Sequence, residues 1–201
     1  MLVHALTLGL AGLAIASPAA KKPPYTKSQS KGFFLGARAS FGGSTLNDGY
    51  YITAIGTNGT HNFLRINDED PPMTFYQTSA TGPIMTDTDS GPLGLTAVKS
   101  ADDAFSNVVL QPNGKGISIS AHSEPFALLA PGVYFVDYAD YADWHYILRQ
   151  APDGTSDPPG GLAAIMPECT DLDESTAGSQ AAVDSDCYAN LKDIDWWKYR
   201  S

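Results

Sequence analysis

The stretch GVYFVDYADYADWHYILRQ, residues 132–150, decides the fold class because it holds two apolar runs joined by a short polar segment. The run from Val133 to Val136 is apolar throughout, which is typical of a strand buried on both faces. Such a strand belongs in the middle of a sheet or under a covering element. The run HYILRQ, residues 145–150, predicts a second strand. We therefore expect a β-rich chain.

The polar segment between these runs contains three aspartates, Asp137, Asp140 and Asp143, followed by His145. Carboxylates and imidazoles bind metals and transfer protons, so a secreted hydrolase or metal-dependent enzyme that uses Asp140, Asp143 and His145 is one hypothesis. Along an extended chain, however, a spacing of three turns successive side chains to opposite faces. We interpret the segment as the exit of a strand followed by a polar turn.

The rest of the chain repeats this pattern of short apolar or alternating runs separated by turn residues. Regular spacing of short strands favours an all-β, single-domain fold, either a β-sandwich or jelly-roll-like. Nine further runs predict strands; they are residues 32–39, 49–56, 61–67, 73–77, 94–99, 105–111, 116–122, 126–130 and 161–166.

The amino-terminal region has the pattern of an export signal. The first twenty residues contain no Lys, Arg, Asp or Glu and include an apolar run. We predict a signal peptide at residues 1–16, cleaved after the small-x-small pattern that ends at Ala16. Residues 17–31 are rich in Pro, Ser and Lys and predict a flexible basic arm. The β-rich domain is expected at residues 32–201.

Composition limits the location and the partners. No later apolar stretch reaches the ~20 residues that span a bilayer, so we expect a secreted protein, extracellular or associated with the cell wall, with no membrane partner. The formal net charge is −10. An acidic surface repels phosphates, so a nucleic-acid partner is not expected.

Two covalent features of secreted proteins are predicted. Cys169 and Cys187 are the two cysteines of the chain, and in an oxidising compartment they are expected to pair. Few residues between them are apolar, and only residues 179–187 predict a short helix, so we expect a loop or short helix excursion closed by one disulfide. The sequon at Asn58 predicts a glycosylation site.

The sequence shows no recognisable arrangement of catalytic residues. The chain lacks a G-x-S-x-G elbow and an H-E-x-x-H motif. The stretch that begins at Asp87, DTDSG, starts like a calcium loop, but its twelfth position is Val98 where an EF-hand needs Glu. We therefore expect no catalytic residue, no metal and no cofactor.

Aromatic side chains supply the alternative of a carbohydrate-binding module. Tyr141, Trp144 and Trp197 lie in acidic, turn-rich surroundings. If exposed, such rings can stack on sugar faces, whereas packing on the core is the other possibility. These three residues are the candidates for ligand binding.

The tail, GLAAIMPECTDLDESTAGSQAAVDSDCYANLKDIDWW at residues 161–197, carries a signature. It resembles a family of small secreted proteins of filamentous ascomycete fungi that is known only as a domain of unknown function. The matching elements are Ile165 to Cys169, the pair Cys187-Tyr188, and Ile194 to Trp196. Near the start of the domain, Lys31 to Leu35 matches the first strand of the family.

The resemblance implies secretion and a β-rich fold, and it carries over no activity and no catalytic residues. Relatives often have a second cysteine pair, at the places held here by Asp137 and by Gly161 or Leu162. Both members are missing together, which supports pairing of Cys169 with Cys187.

These observations lead to one functional expectation. We expect a secreted, non-enzymatic fungal protein of unknown molecular function that acts at the cell wall or host interface as an interaction or effector-like protein. A cell-wall polysaccharide or a host protein is the expected kind of partner.

Overall fold

The computed structural model describes residues 26–41, 44–46, 49–57, 62–99, 101, 103–119, 129–130, 133–141, 144–152, 155 and 163–194. The predicted signal peptide, the sequon at Asn58 and the aromatic Trp197 lie outside these residues. No helix in the described ranges is long and apolar enough to cross a membrane.

The described residues are organised almost entirely in strands. The strands are β1 (Lys27–Ser30), β2 (Gly32–Phe41), β3 (Ser44–Leu46), β4 (Tyr51–Thr57), β5 (Asn62–Asn67), β6 (Phe75–Gln77), β7 (Ile84–Thr88), β8 (Gly91–Lys99), β9 (Ser106–Gln111), β10 (Ser118–Ile119), β11 (Leu129–Ala130), β12 (Val133–Tyr141), β13 (Trp144–Ala151), β14 (Ala163–Thr170) and β15 (Ser185–Tyr188). The helix α1 (Ala177–Gln180) and one 3₁₀ turn, Leu191–Asp193, lie near the carboxyl end.

Two long strands, β2 and β13, each belong to two layers. Strand β2 pairs with β14 along one edge and, in turn, with β3, β4 and β6 along the other. Strand β13 pairs with β12 along one edge and with β5 and then β9 along the other. Strands β4 and β5 therefore connect β2 to β13 on one side, and β6, β7, β8 and β9 connect them on the other.

The side chains from the β4–β5 side and those from the β6–β9 side meet in one core. Alternate residues of β2 point inward and are fully buried, and the rings of Phe33 and Phe75 stack with centroids 6.5 Å apart. Core residues from β4 and β5 belong to the same cluster as those from β6 to β9, for example Ile52, Leu64 and Leu95. The all-β, sandwich-like prediction is confirmed.

The stretch at residues 132–150 forms the hairpin β12–β13. Tyr134, Phe135 and Val136 are all buried, as the continuous apolar run predicts. Strand β12 runs on to Tyr141, with an irregular register after Tyr138, so strand pairing extends further into the predicted polar turn than expected. Backbone pairing with β13 accounts for this extension, since it needs no apolar side chain.

Four strands were not predicted from the sequence: β1, β3, β7 and β15. The strand β1 lies inside the segment that the sequence predicts as a flexible arm, and this prediction is wrong for residues 27–30. Its sequence, KSQS, has no apolar periodicity. It is a strand because its backbone pairs with β15, as in Ser28 with Cys187.

The helix prediction in the tail is also corrected. The helix lies at Ala177–Gln180, before most of the predicted residues 179–187, and Ser185–Tyr188 is a strand instead. The reason for the earlier start is local, because Thr176 and Ser179 form a capping box at the helix amino terminus.

Candidate functional site

A disulfide closes the tail excursion. Cys169 at the end of β14 is bonded to Cys187 in β15, with the two Cα atoms 5.2 Å apart. The predicted pairing is therefore confirmed, and the excursion of residues 171–184 leaves and rejoins the sheet at neighbouring positions. It is also paired to β6, where the backbone N–H of Val183 donates to the carbonyl oxygen of Gln77 over 2.9 Å.

The helix α1 packs directly on the outer face of β6 and β7. Its Gly178 faces the side chains of Tyr76 and Asp87, and a Cβ atom at this position would overlap the oxygen atoms of both. Only glycine allows this close approach without displacement. The sequence thus permits the excursion to cover a polar part of the sheet.

A cleft of about 270 Å³ lies between the excursion and the strands β6 and β7. Its size is near the lower limit of small-molecule sites. Carboxylates and hydroxyls make up much of its lining, with two apolar side chains among them. The lining residues are Met73, Thr74, Tyr76, Thr86, Asp87, Leu172, Asp173, Ser175 and Thr176.

The half-buried carboxylate of Asp87 accepts hydrogen bonds from two side chains that line this cleft. The hydroxyl of Tyr76 donates to its Oδ1 over 2.8 Å, and the hydroxyl of Thr176 donates to its Oδ2. Thr176 is fixed in turn, because its oxygen accepts from the backbone N–H of Ser179 over 3.2 Å. Asp87 is therefore held in one orientation by groups from two separate parts of the chain.

Tyr76 acts as a permanent donor in this arrangement. Burial raises the pKa of Tyr76 above the ordinary 10.0, and the hydrogen bond to Asp87 and the charge of Asp87 raise it further. The phenol therefore stays protonated at physiological pH and keeps its proton directed at the carboxylate.

The cleft carries negative charge that the described side chains do not neutralise. No described Lys or Arg forms an ion pair with Asp87 or Asp173, whereas the neighbouring Glu174 pairs with Lys31 over 2.8 Å. One oxygen of Asp173 accepts from the backbone N–H of Ser175 over 3.0 Å. The arrangement suits a ligand that donates hydrogen bonds, such as a hydroxylated or ammonium-bearing molecule.

The aspartate-rich hairpin has a different organisation. Asp137 accepts from the guanidinium of Arg149 over 3.1 Å, and Asp103 also pairs with this arginine. Strands β12 and β13 include Asp140 and His145, whose side chains lie outside the described part, as does all of Asp143. In the described ranges, no three His, Cys, Asp or Glu side chains are grouped to hold a metal ion.

The aromatic candidates are placed only in part. Tyr141 and Trp144 face each other in the register at the end of the β12–β13 hairpin, and their side chains are outside the described part. A role of Tyr141, Trp144 and Trp197 in ligand binding stays a prediction.

Sequence reasoning missed the residues of the cleft. In the sequence, Asp87 is only the first residue of a stretch that resembles a calcium loop but lacks its final Glu. In the structure this stretch forms the turn of the β7–β8 hairpin, with Gly91 at φ 110°. The one local signal was the spacing of Thr176 and Ser179, which is that of a helix cap. Nothing local connects Thr176 with Asp87, since 89 positions separate them.

Comparison with known proteins gives one similarity. No family model matches the chain, and no solved structure matches it. The chain is 27% identical over 206 residues to "Antigenic protein SchS34" of Stachybotrys chartarum, a similarity that covers 86% of this chain and 92% of that protein. The chain is thus similar over most of its length to a protein of a filamentous fungus, which fits a fungal protein family.

Proposed function

We propose that this chain is a secreted, non-enzymatic fungal protein that acts at the cell wall or host interface as an interaction or effector-like protein, with the cleft as its contact site. One observation carries the proposal. The carboxylate of Asp87 is held by Tyr76 and Thr176 at a cleft whose wall is fastened by a disulfide. Such fixed polar groups are typical of binding sites.

Several features support an extracellular role. The disulfide is of the kind that persists in oxidising compartments, and the similar protein of Stachybotrys chartarum is named as antigenic. The predicted signal peptide at residues 1–16 and the resemblance of the tail to small secreted fungal proteins agree with this location.

Secretion is tested by expressing the full chain with a carboxy-terminal tag in a filamentous fungus. We expect the protein in the culture medium or on the wall, with an amino terminus near Ser17. A matched chain without residues 1–16 should stay inside the cells. Retention of the full chain inside the cells would contradict the proposed location.

Binding at the cleft is tested by retention on insoluble chitin, β-glucan and cellulose and on host-cell surfaces. The variant Asp87→Asn removes the central charge, and Asp89→Asn is the matched control, because Asp89 is exposed in the adjoining turn and does not line the cleft. Loss of one charge-assisted hydrogen bond predicts a fall in affinity of about tenfold for D87N. Equal retention of the two variants would exclude the cleft as the contact site.

A second candidate is carbohydrate binding through the end of the β12–β13 hairpin. The register places Tyr141 directly opposite Trp144, and directly opposed residues of a hairpin are close enough to form one aromatic surface. The double variant Y141A/W144A should then lose retention on polysaccharide while D87N keeps it. The opposite result favours the cleft.

A further inference from the structure

The strand β1 is held almost entirely by polar contacts. Three of its four residues are exposed, and none is apolar. It pairs with β15 through the backbone, and the side chain of Gln29 donates to Asp186 over 3.0 Å. The hydroxyl of Ser30 donates to the carbonyl oxygen of Thr170 over 2.7 Å. No core packing therefore opposes the release of β1.

The link between β1 and the next strand, β2, is a single residue. Lys31 separates β1 from β2, and at this residue the chain changes its partner strand from β15 to β14. Short connections of this kind favour exchange of an element between two copies, because a change at one residue redirects the whole segment.

The edge of β15 that pairs with β1 is held in place by contacts that do not involve β1. Cys187 in β15 is bonded to β14 through the disulfide, and Cys187 and Tyr188 are both buried. Exposed acidic side chains line this strand and its entry, Asp186 and Asp184 among them. The edge of β15 thus stays in place and favours an extended, polar and basic segment.

We propose that β1 is exchanged between two copies of this chain. Each copy places its residues 26–31 on the β15 edge of the other, which gives a twofold symmetric dimer. Lys27 and Lys31 make the segment basic, which complements the acidic edge. The dimer re-forms the contacts of two separate chains, so its population rises with protein concentration. This inference is independent of the cleft.

The experiment uses two variants of the full mature chain, each with one cysteine added to the native Cys169–Cys187 disulfide. Gln29 and Asp186 are directly opposed in the register, and the separation of such pairs in an antiparallel ladder permits a disulfide. One preparation carries Gln29→Cys and the other Asp186→Cys. They are mixed at rising concentration under mild oxidation and analysed by non-reducing electrophoresis and by mass spectrometry of the linked peptides.

If β1 is exchanged, we expect a species with the mass of two chains, linked by a disulfide between positions 29 and 186. The matched control mixes Q29C with Glu69→Cys, an exposed acidic residue beyond β5, and should give only background dimer. The double variant Q29C/D186C tests the reactivity of the pair within one chain. A mixture without the 29–186 dimer, when the double variant closes its own bond readily, overturns the proposal.

Discussion

Arg149 connects the aspartate-rich hairpin to the loop before β9. Its guanidinium pairs with Asp137 and Asp103 and lies 5.6 Å and 5.8 Å from the ring centroids of Phe105 and Phe135. Tyr134 and Val136 belong to the core, so Asp137 and Phe135 lie on the opposite face of β12 by alternation. Asp137 therefore acts as a structural partner of Arg149.

The variant Arg149→Ala should lower the free energy of unfolding by about 3 kcal/mol, because it removes the cation that pairs with Asp137 and Asp103. Only 12% of the Arg149 side chain is exposed. The control is Arg65→Ala, whose pair with Asp70 is longer, at 3.5 Å, and more exposed; it should cost less than about 1 kcal/mol. Urea unfolding measures both, and equal losses would contradict the structural role of Arg149.

Among the described residues, three tyrosines have a raised pKa, and this affects stability at alkaline pH. Burial is the largest cause for Tyr76, Tyr134 and Tyr50. A neighbouring Asp87 adds to the shift at Tyr76. A phenol with a raised pKa in the folded state keeps its proton after the unfolded chain has lost it, so each tyrosine stabilises fully below pH 10 and progressively less above it.

The free energy of unfolding should therefore fall as the pH rises above 10, by up to about 1.4 kcal/mol per pH unit for each such tyrosine. The variant Tyr76→Phe should show a shallower fall over the same range, because it has no proton to lose at this position. Urea unfolding at a series of pH values measures the slope. Identical slopes would show that Tyr76 does not contribute.

At the scale of elements, the excursion depends on its covalent closure. The helix α1 has only four residues, too few to be stable alone. Its capping box, its contact through Gly178 and the bridge of Val183 to Gln77 position it on the sheet. The disulfide limits how far these contacts can separate when they break.

Replacing both cysteines by serine should lower the free energy of unfolding by about 3 kcal/mol, the chain-entropy value for a loop of this length; the two residues are 18 positions apart. The excursion should also become the first segment that a protease cuts. Thermal unfolding and limited proteolysis measure the two effects. Unchanged proteolysis would mean that the non-covalent contacts suffice to hold the excursion.

Most strands that contain an apolar run could be predicted from the sequence, whereas the strand β1, which is held by polar pairing, could not. The runs that contain Phe33, Leu64 and Val108 predicted strands because they are short, apolar or alternating, and bounded by turn residues. The sequence of β1 has no apolar pattern, because this strand is stabilised by pairing with β15, which is far away in the sequence. The cleft escaped prediction for the same reason, because Tyr76, Asp87 and Thr176 meet only after the excursion folds back.

At the scale of the whole molecule, the pairing closes on itself. The sequence of strands β2, β4, β5, β13, β9, β8, β7, β6 returns to β2. These strands therefore have pairing partners on both sides over part of their length, which limits the edges open to other chains. In the described part of the sheet, β1 is a terminal strand.

Deletion of residues 1–31 should leave the domain folded, because β1 contributes no residue to the core cluster. The deletion exposes the edge of β15, and an uncovered edge strand promotes association. We expect a circular dichroism spectrum like that of the chain from Ser17, together with more association in light scattering. Loss of the β spectrum would show that β1 is required for folding.

The disulfide between Cys169 and Cys187 also determines what a single proteolytic cut in the excursion can release. A cut anywhere in residues 170–186 breaks the peptide chain but releases no fragment, because the tail beyond Cys187 stays joined to β14. The buried tail residues Tyr188, Leu191 and Ile194 also remain packed together with Met166. A nicked molecule therefore keeps both parts of the tail together on the sheet.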